Sequence, residues 1–105
     1  MRLNAYAIYD VKAAMYQRPF FAVRDGEATR AFVDAVATKD HPLGQHPEDY
    51  TLFRIGAFND ESGLLEASPA ERMMTALEAA AQMLTNGEVP HTPKLPGLGT
   101  ETPTE

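Results

Sequence analysis

Apolar positions along this chain recur with two different periods, and the periods divide it into strands and helices. Residues 3–9 form a short apolar and aromatic run that predicts a first strand. Residues 10–17 fit either a helical turn or a loop. Residues 19–23 (Pro-Phe-Phe-Ala-Val) predict a second strand, with Pro19 tolerated only at its beginning because it has no N–H for the ladder. Asp25-Gly26 then ends the strand and opens a helix. Ala28, Ala31, Phe32, Ala35 and Val36 repeat at helical spacing, and Asp25 is the expected N-cap.

Residues 38–47 contain Asp40, Pro42, Gly44 and Pro47 and read as a connection. Residues 51–58 predict a third strand, 59–63 a turn and 64–66 a short fourth strand, together a hairpin. Ser68-Pro69-Ala70-Glu71 has the signature of a helix start: Ser68 as N-cap, Pro69 in the first turn and Glu71 closing a capping box. Ala70, Met73, Met74, Leu77, Ala81 and Leu84 would be its apolar stripe, and Asn86-Gly87 its stop. The order β-β-α-β-β-α predicts an α+β fold, a small antiparallel sheet with two helices on one face. One domain is expected over residues 1–87. Residues 88–105 hold prolines and glycines with few large apolar groups, and read as a flexible, disordered tail.

Composition narrows the function classes. The chain has 105 residues, 44% of them hydrophobic, which suits a single core. It contains no Cys, so disulfides, thiolate nucleophiles and Cys-ligated metals are excluded. No apolar run reaches the length of a signal peptide or a membrane span, so a soluble intracellular protein without membrane contact is expected. A formal net charge of −6 speaks against a broadly basic nucleic-acid-coating protein. The charge is unevenly spread, however: Arg2, Lys12, Arg18, Arg24 and Arg30 outnumber Asp10, Asp25 and Glu27 in the first thirty residues.

Catalytic patterns are missing. His41, His46 and His91 lie in Pro-containing segments without HExxH or knuckle spacing, so no metal is expected. Glu48-Asp49 reads as part of a helical turn and Asp60-Glu61 as hairpin decoration, because acid–base pairs come from separate elements facing one cleft. Ser62 and Ser68 lack a nucleophile-elbow context, and Pro96-Gly97-Leu98-Gly99 precedes no helix. The expectation is a binding protein with no enzymatic activity and no cofactor.

Aromatics and arginines remain. Tyr6, Tyr9, Tyr16, Phe20, Phe21, Phe53 and Phe58 sit on or beside strands with cations interleaved, and single-stranded nucleic acid is held by stacking platforms flanked by positive charge. A sheet under two helices must bury about half of those rings. Phe20 and Phe21 point to opposite faces if the segment is regular strand, so one of them is exposed. Phe20 would share a face with Arg18 and Arg24. The candidate nucleic-acid-binding residues are therefore Arg2, Lys12, Arg18, Phe20, Arg24 and Arg54.

One ordered series of motifs runs through the same region: Tyr9-Asp10-x-Lys12-Ala13, Tyr16, Pro19-Phe20-Phe21, Gly26-Glu27-Ala28-x-Arg30-x-Phe32-x-Asp34, His46-Pro47-Glu48-Asp49-Tyr50-x-Leu52, Gly56-x-Phe58 and Gly63. In these motifs the chain resembles the small nonstructural protein of gokushovirus-type microviruses, phages with single-stranded circular DNA. The resemblance covers residues 3–66. It implies a nonstructural phage protein that binds single-stranded DNA in the host cytoplasm and helps switch from double-stranded replication to single-stranded genome synthesis and packaging. It supplies no catalytic residues. Asn59 stands where an acid often follows Phe58, and the second helix and tail extend beyond shorter members. The alternative is a protein-interaction factor that docks on the replication initiator or procapsid without touching DNA. A homo-oligomer is expected in either case, since so small a core and open sheet edges favour association.

Overall fold

The structure, a computed structural model, describes residues 1–85. Nine elements follow one another. They are β1 (Arg2–Asp10), β2 (Met15–Tyr16), β3 (Phe20–Ala22), α1 (Asp25–Val36), α2 (Pro42–Gln45), a 3₁₀ turn (Pro47–Asp49), β4 (Tyr50–Asn59), β5 (Leu65–Thr75) and α3 (Ala76–Thr85). The strands form one antiparallel sheet in the order β2-β1-β4-β5, with β3 also on β1, beyond its pairing with β2. The fold is α+β, as the apolar pattern predicts. It has one more strand than expected, because residues 15–16 pair with Tyr9 and Asp10 instead of forming a helical turn or free loop.

The core lies between one face of the sheet and the helices. Tyr6 and Leu52 from the sheet meet Ala28, Phe32 and Val36 of α1, Leu43 of α2, and Ala76, Ala79 and Met83 of α3. The 28/32/36 spacing is the expected stripe of α1, narrowed: Ala31 is exposed and Ala35 half-buried. Asp25 is the first residue of this helix rather than its cap. Arg24 occupies the cap position without a side-chain hydrogen bond, and the Asp25 carboxylate is engaged elsewhere.

The largest departure is the second half of the hairpin. Residues 68–71 do not start a helix; they lie within β5, which runs eleven residues to Thr75. Arg54 pairs with Glu71 and Leu52 with Met74 across the ladder, so extending the strand satisfies β4 and sends Met74 to the core. Pro69 is accommodated where Ser68, Pro69 and Ala70 stand opposite the single residue Ile55, an irregularity on an outer strand. The helix begins seven residues later with a second capping box. Thr75 Oγ1 accepts from Glu78 N–H, and the Glu78 carboxylate accepts from Thr75 N–H. That backbone bond, together with Arg72, holds the Glu78 carboxyl below its usual range. The apolar stripe changes with the start: Ala76, Ala79 and Met83 are buried, whereas Leu77 is 54% exposed.

The turn at residues 59–63 forms as expected. Asn59 Oδ1 accepts from the N–H groups of Glu61 and Ser62, and Gly63 adopts φ +78°, a left-handed conformation that favours glycine. The expected tail, residues 88–105, and the helix stop at Asn86-Gly87 lie outside the described residues.

Candidate functional site

Residues directly opposite one another on antiparallel strands share a face, so the register sorts the side chains. Asn4, Tyr6, Ile8, Phe20, Ala22, Leu52 and Arg54 face the helices. Leu3, Ala5, Ala7, Tyr9, Tyr16, Phe21, Phe53, Gly56 and Phe58 face the other way. The core elements all pack on the first face, and among the described residues nothing covers the second.

A bulge composes that open face. Ala5 pairs with Gly56 and Tyr6 with Arg54, leaving Ile55 as the extra residue of β4. Phe58 is five positions after Phe53, so a regular strand would place them on opposite faces; the bulge residue between them puts both on the open side. Phe58 meets Phe21 at 5.6 Å between ring centroids, and Phe53 meets Tyr16 at 5.6 Å. Tyr16 also contacts Tyr9 edge-on at 4.9 Å. These pairs bridge across β1, which explains why Ala5 and Ala7 are only 3% and 1% exposed with no helix above them. Tyr16 and Phe21 remain 45% exposed, so the result is an aromatic platform on an alanine floor.

On the helix side, one acid of α1 ties it to two strands, β1 and β4. Asp25 Oδ1 accepts from Tyr6 Oη at 2.6 Å and from Asn4 Nδ2 at 3.3 Å, and Asp25 Oδ2 pairs with Arg54 at 2.6 Å. The second nitrogen of Arg54 binds Glu71 on β5. Tyr6 and Arg54 hold the Asp25 carboxyl below the usual range. Burial, with the carboxylate beside it, pushes the Tyr6 hydroxyl up to about 12.

The network has a signed pH signature. A phenol raised from 10.0 to about 12 contributes stability that is complete below pH 10 and lost as pH rises through about 12. The depressed Asp25 contributes above its unfolded value and loses that contribution as pH falls through its folded one. Tyr6→Phe is expected to cost about 1–2 kcal/mol at neutral pH, the lower part of the range for a bond to a charged group because Asp25 is half-exposed. Melting temperatures followed from pH 9 to 12.5 should show wild type converging on this variant at the alkaline end. Parallel curves would remove Tyr6 from the alkaline limb.

The six sequence-predicted residues are not brought to one place. Phe20 is the inward ring of its pair: it stacks on Tyr6 at 5.6 Å and packs against the core, while Phe21 is the exposed one. Alternation along β3 parts the two rings as expected, and the pairing of Tyr6 with Phe20 decides which one goes inward. Arg54 is held between Asp25 and Glu71 on the helix side. Arg2 binds Glu66 at 2.7 Å, and both arginines line a polar recess of about 270 Å³ with Asn4 and Ser68, on the helix side of the sheet.

Lys12, Arg18 and Arg24 are different. They lie in the turn after β1, the link from β2 to β3, and the residue after Val23, all exposed and strung along one sheet edge. Among the described residues these three make no ion pair. Arg30 and Lys39, also without one, lie on α1 and beyond it, and Glu27 accepts from Val23 N–H. The opposite edge of the sheet, β5, carries Glu66 and Glu71, each paired with an arginine, so the cations without a partner border the platform on the β2/β3 edge.

The loop histidines have local roles. His41 Nδ1 accepts from Leu43 N–H and caps α2. The 3₁₀ turn gives His46 the neighbours the sequence did not suggest, with ligand atoms of His46, Glu48 and Asp49 within 4.8 Å of one another. His46 and Glu48 are exposed, as surface groups of such a turn ordinarily are, and nothing further marks the cluster as a metal site. No helix among the described residues is long and apolar enough to cross a membrane.

Fold and surface together define a small α+β protein with one helix-covered and one bare aromatic sheet face. The chain belongs to the family of phage ORF5 proteins, whose sequence model matches residues 3–79, from β1 into the first turn of α3. Comparison with curated proteins and with solved structures gave no match.

Proposed function

We propose that this phage protein binds single-stranded DNA across the open sheet face and acts, without catalysis, in the passage from double-stranded replication to single-stranded genome synthesis and packaging, as in the gokushovirus-type proteins it resembles. The observation that carries the binding is the aromatic platform bordered by Lys12, Arg18 and Arg24. Unstacked bases find π-faces on Tyr16, Phe21, Phe53 and Phe58, while the sugar–phosphate chain runs along the cationic edge. Duplex DNA keeps its bases paired and offers nothing to such a platform. The role in genome synthesis is drawn from the resemblance, and the contact with DNA from the geometry of the open face.

Three phosphate contacts per protomer give a log–log salt slope near about −2 for single strands, at roughly 0.7 per contact. Phe21→Ala is expected to weaken binding by about 1–3 kcal/mol with little change of slope, because stacking releases no counterions. Arg24→Ala should weaken binding and flatten the slope together. Fluorescence titrations at two salt concentrations, with melting temperatures as a fold control, make the measurement.

The near-absence of charge on the platform itself and the net charge of −6 favour a second reading, in which this face docks on the replication initiator or procapsid. No binding of single strands by intact protein at low salt would put that reading first.

A further inference from the structure

The open face holds a concavity. It is an apolar pocket of about 130 Å³ with Ala5 and Gly56 as floor and Pro19, Phe21, Ile55 and Leu65 as walls. Its lining offers almost no hydrogen-bonding group. Pro19 has no N–H, and the one acid at its rim, Glu66, is held by Arg2 at 2.7 Å. The wall segment is bracketed by cations: Arg18 immediately precedes Pro19, and Arg24 follows Phe21 by three residues, both exposed and unpaired among the described residues. An apolar slot with positive charge on either side complements a nucleotide, whose ring is apolar on its faces and whose two flanking phosphates are anionic.

We infer that this pocket takes the C5–C6 edge of a pyrimidine, thymine before the others, within the single strand bound at the open face. The inference rests on the DNA-binding reading and adds a base preference to it. Of the edges that bases present, the pyrimidine C5–C6 edge alone carries no donor or acceptor, and in thymine it carries a methyl group. Purines would have to bring N7 or an exocyclic group into a lining that cannot answer it, and an unanswered polar group is costly to bury. The Watson–Crick edge of an inserted pyrimidine stays outward in water. Selection by the pocket is therefore a matter of apolar fit.

The test uses the full chain and three oligodeoxynucleotides of equal length: all-thymidine, all-deoxyuridine and all-deoxyadenosine. Burying one methyl group is expected to make the thymidine strand bind about fourfold tighter than the deoxyuridine strand per engaged protomer, with deoxyadenosine weakest. Ala67→Leu, which fills the pocket from an exposed position on β5, should remove the thymidine–deoxyuridine difference while leaving the salt slope unchanged. Leu65→Ala, at a position 68% exposed, is a second variant that should reduce the same difference without threatening the fold. Equal affinity of all three strands, with binding intact, would overturn the base preference and leave the DNA reading standing. A difference that survives both variants places the selectivity outside this pocket and overturns the assignment. Failure of every strand to bind would overturn the preference and the DNA reading together.

Discussion

Phe32→Ala is expected to lower stability by about 3–5 kcal/mol, the range for truncating a large buried aromatic ring. Phe32 is 1% exposed and occupies the middle of the α1 stripe, between Ala28 and Val36, where helix and sheet residues converge. Its neighbours include the small residues Ala76 and Ala79 of α3, which cannot expand to fill the space a ring leaves. A domain of this size has a total stability of about 5–15 kcal/mol, so the variant should lose much of it. Urea denaturation followed by circular dichroism should show a clearly lower midpoint. The informative control is Leu77→Ala. The sequence pattern placed Leu77 on the core stripe of its helix, whereas the fold leaves it 54% exposed, so a change within about 0.5 kcal/mol is expected. A loss at Leu77 comparable to that at Phe32 would mean that α3 is rotated relative to the sheet.

Gly56→Ala is expected to cost about 3 kcal/mol, at the upper end of what a single overpacked methyl group ordinarily does. A Cβ at this position would lie 2.2 Å from the backbone oxygen of Glu66, and the obstacle is main chain that cannot rotate away. The close approach exists because β5 crosses Gly56 beside the bulge at Ile55, where both neighbouring registers shift. Relief requires β4 and β5 to separate, so hydrogen exchange should accelerate at the amides of residues 65–67 before it does in α1. Gly56→Ala with unchanged exchange and an unchanged urea midpoint would show that the two strands are not in contact there. Gly63 is a useful contrast: an added Cβ meets nothing within 4 Å, and only its φ of +78° resists substitution.

Much of this molecule was legible in the chain because its signals are local. The apolar spacing of residues 28, 32 and 36 specifies both a helix and its buried side, since a 3.6-residue period has only one solution. Asn59 to Gly63 specifies a turn, because Asn59 can accept from its own following amides and Gly63 can take a positive φ. Alternation along β3 required Phe20 and Phe21 to part. The excess of cations near the N-terminus was visible by counting, and three of them do line one edge.

Tertiary structure decided the rest, for physical reasons that can be named. The motif Ser/Thr-x-x-Glu occurs at Ser68–Glu71 and again at Thr75–Glu78, and a capping box by itself is the same local signal in both places. The second is used because the first segment gains more inside a strand: β5 pairs β4 on both sides of it, Glu71 gives Arg54 a carboxylate, and Met74 is sent inward. Asp25 looked like a cap because its helix neighbours were visible, while Tyr6, Asn4 and Arg54 are distant in sequence and compete more strongly for its oxygens. Proximity to Arg18 and Arg24 favours Phe20 as the free ring but says nothing of which side Tyr6 occupies, and the Tyr6–Phe20 pairing sends Phe20 inward. The aromatic platform depends most on the folded state. It is assembled from β1, β2, β3 and β4 by pairings far apart in the chain, and one bulge residue, Ile55, aligns Phe53 with Phe58. No spacing rule along the chain contains that residue's effect, because a bulge is defined only by the partner strand it fails to match.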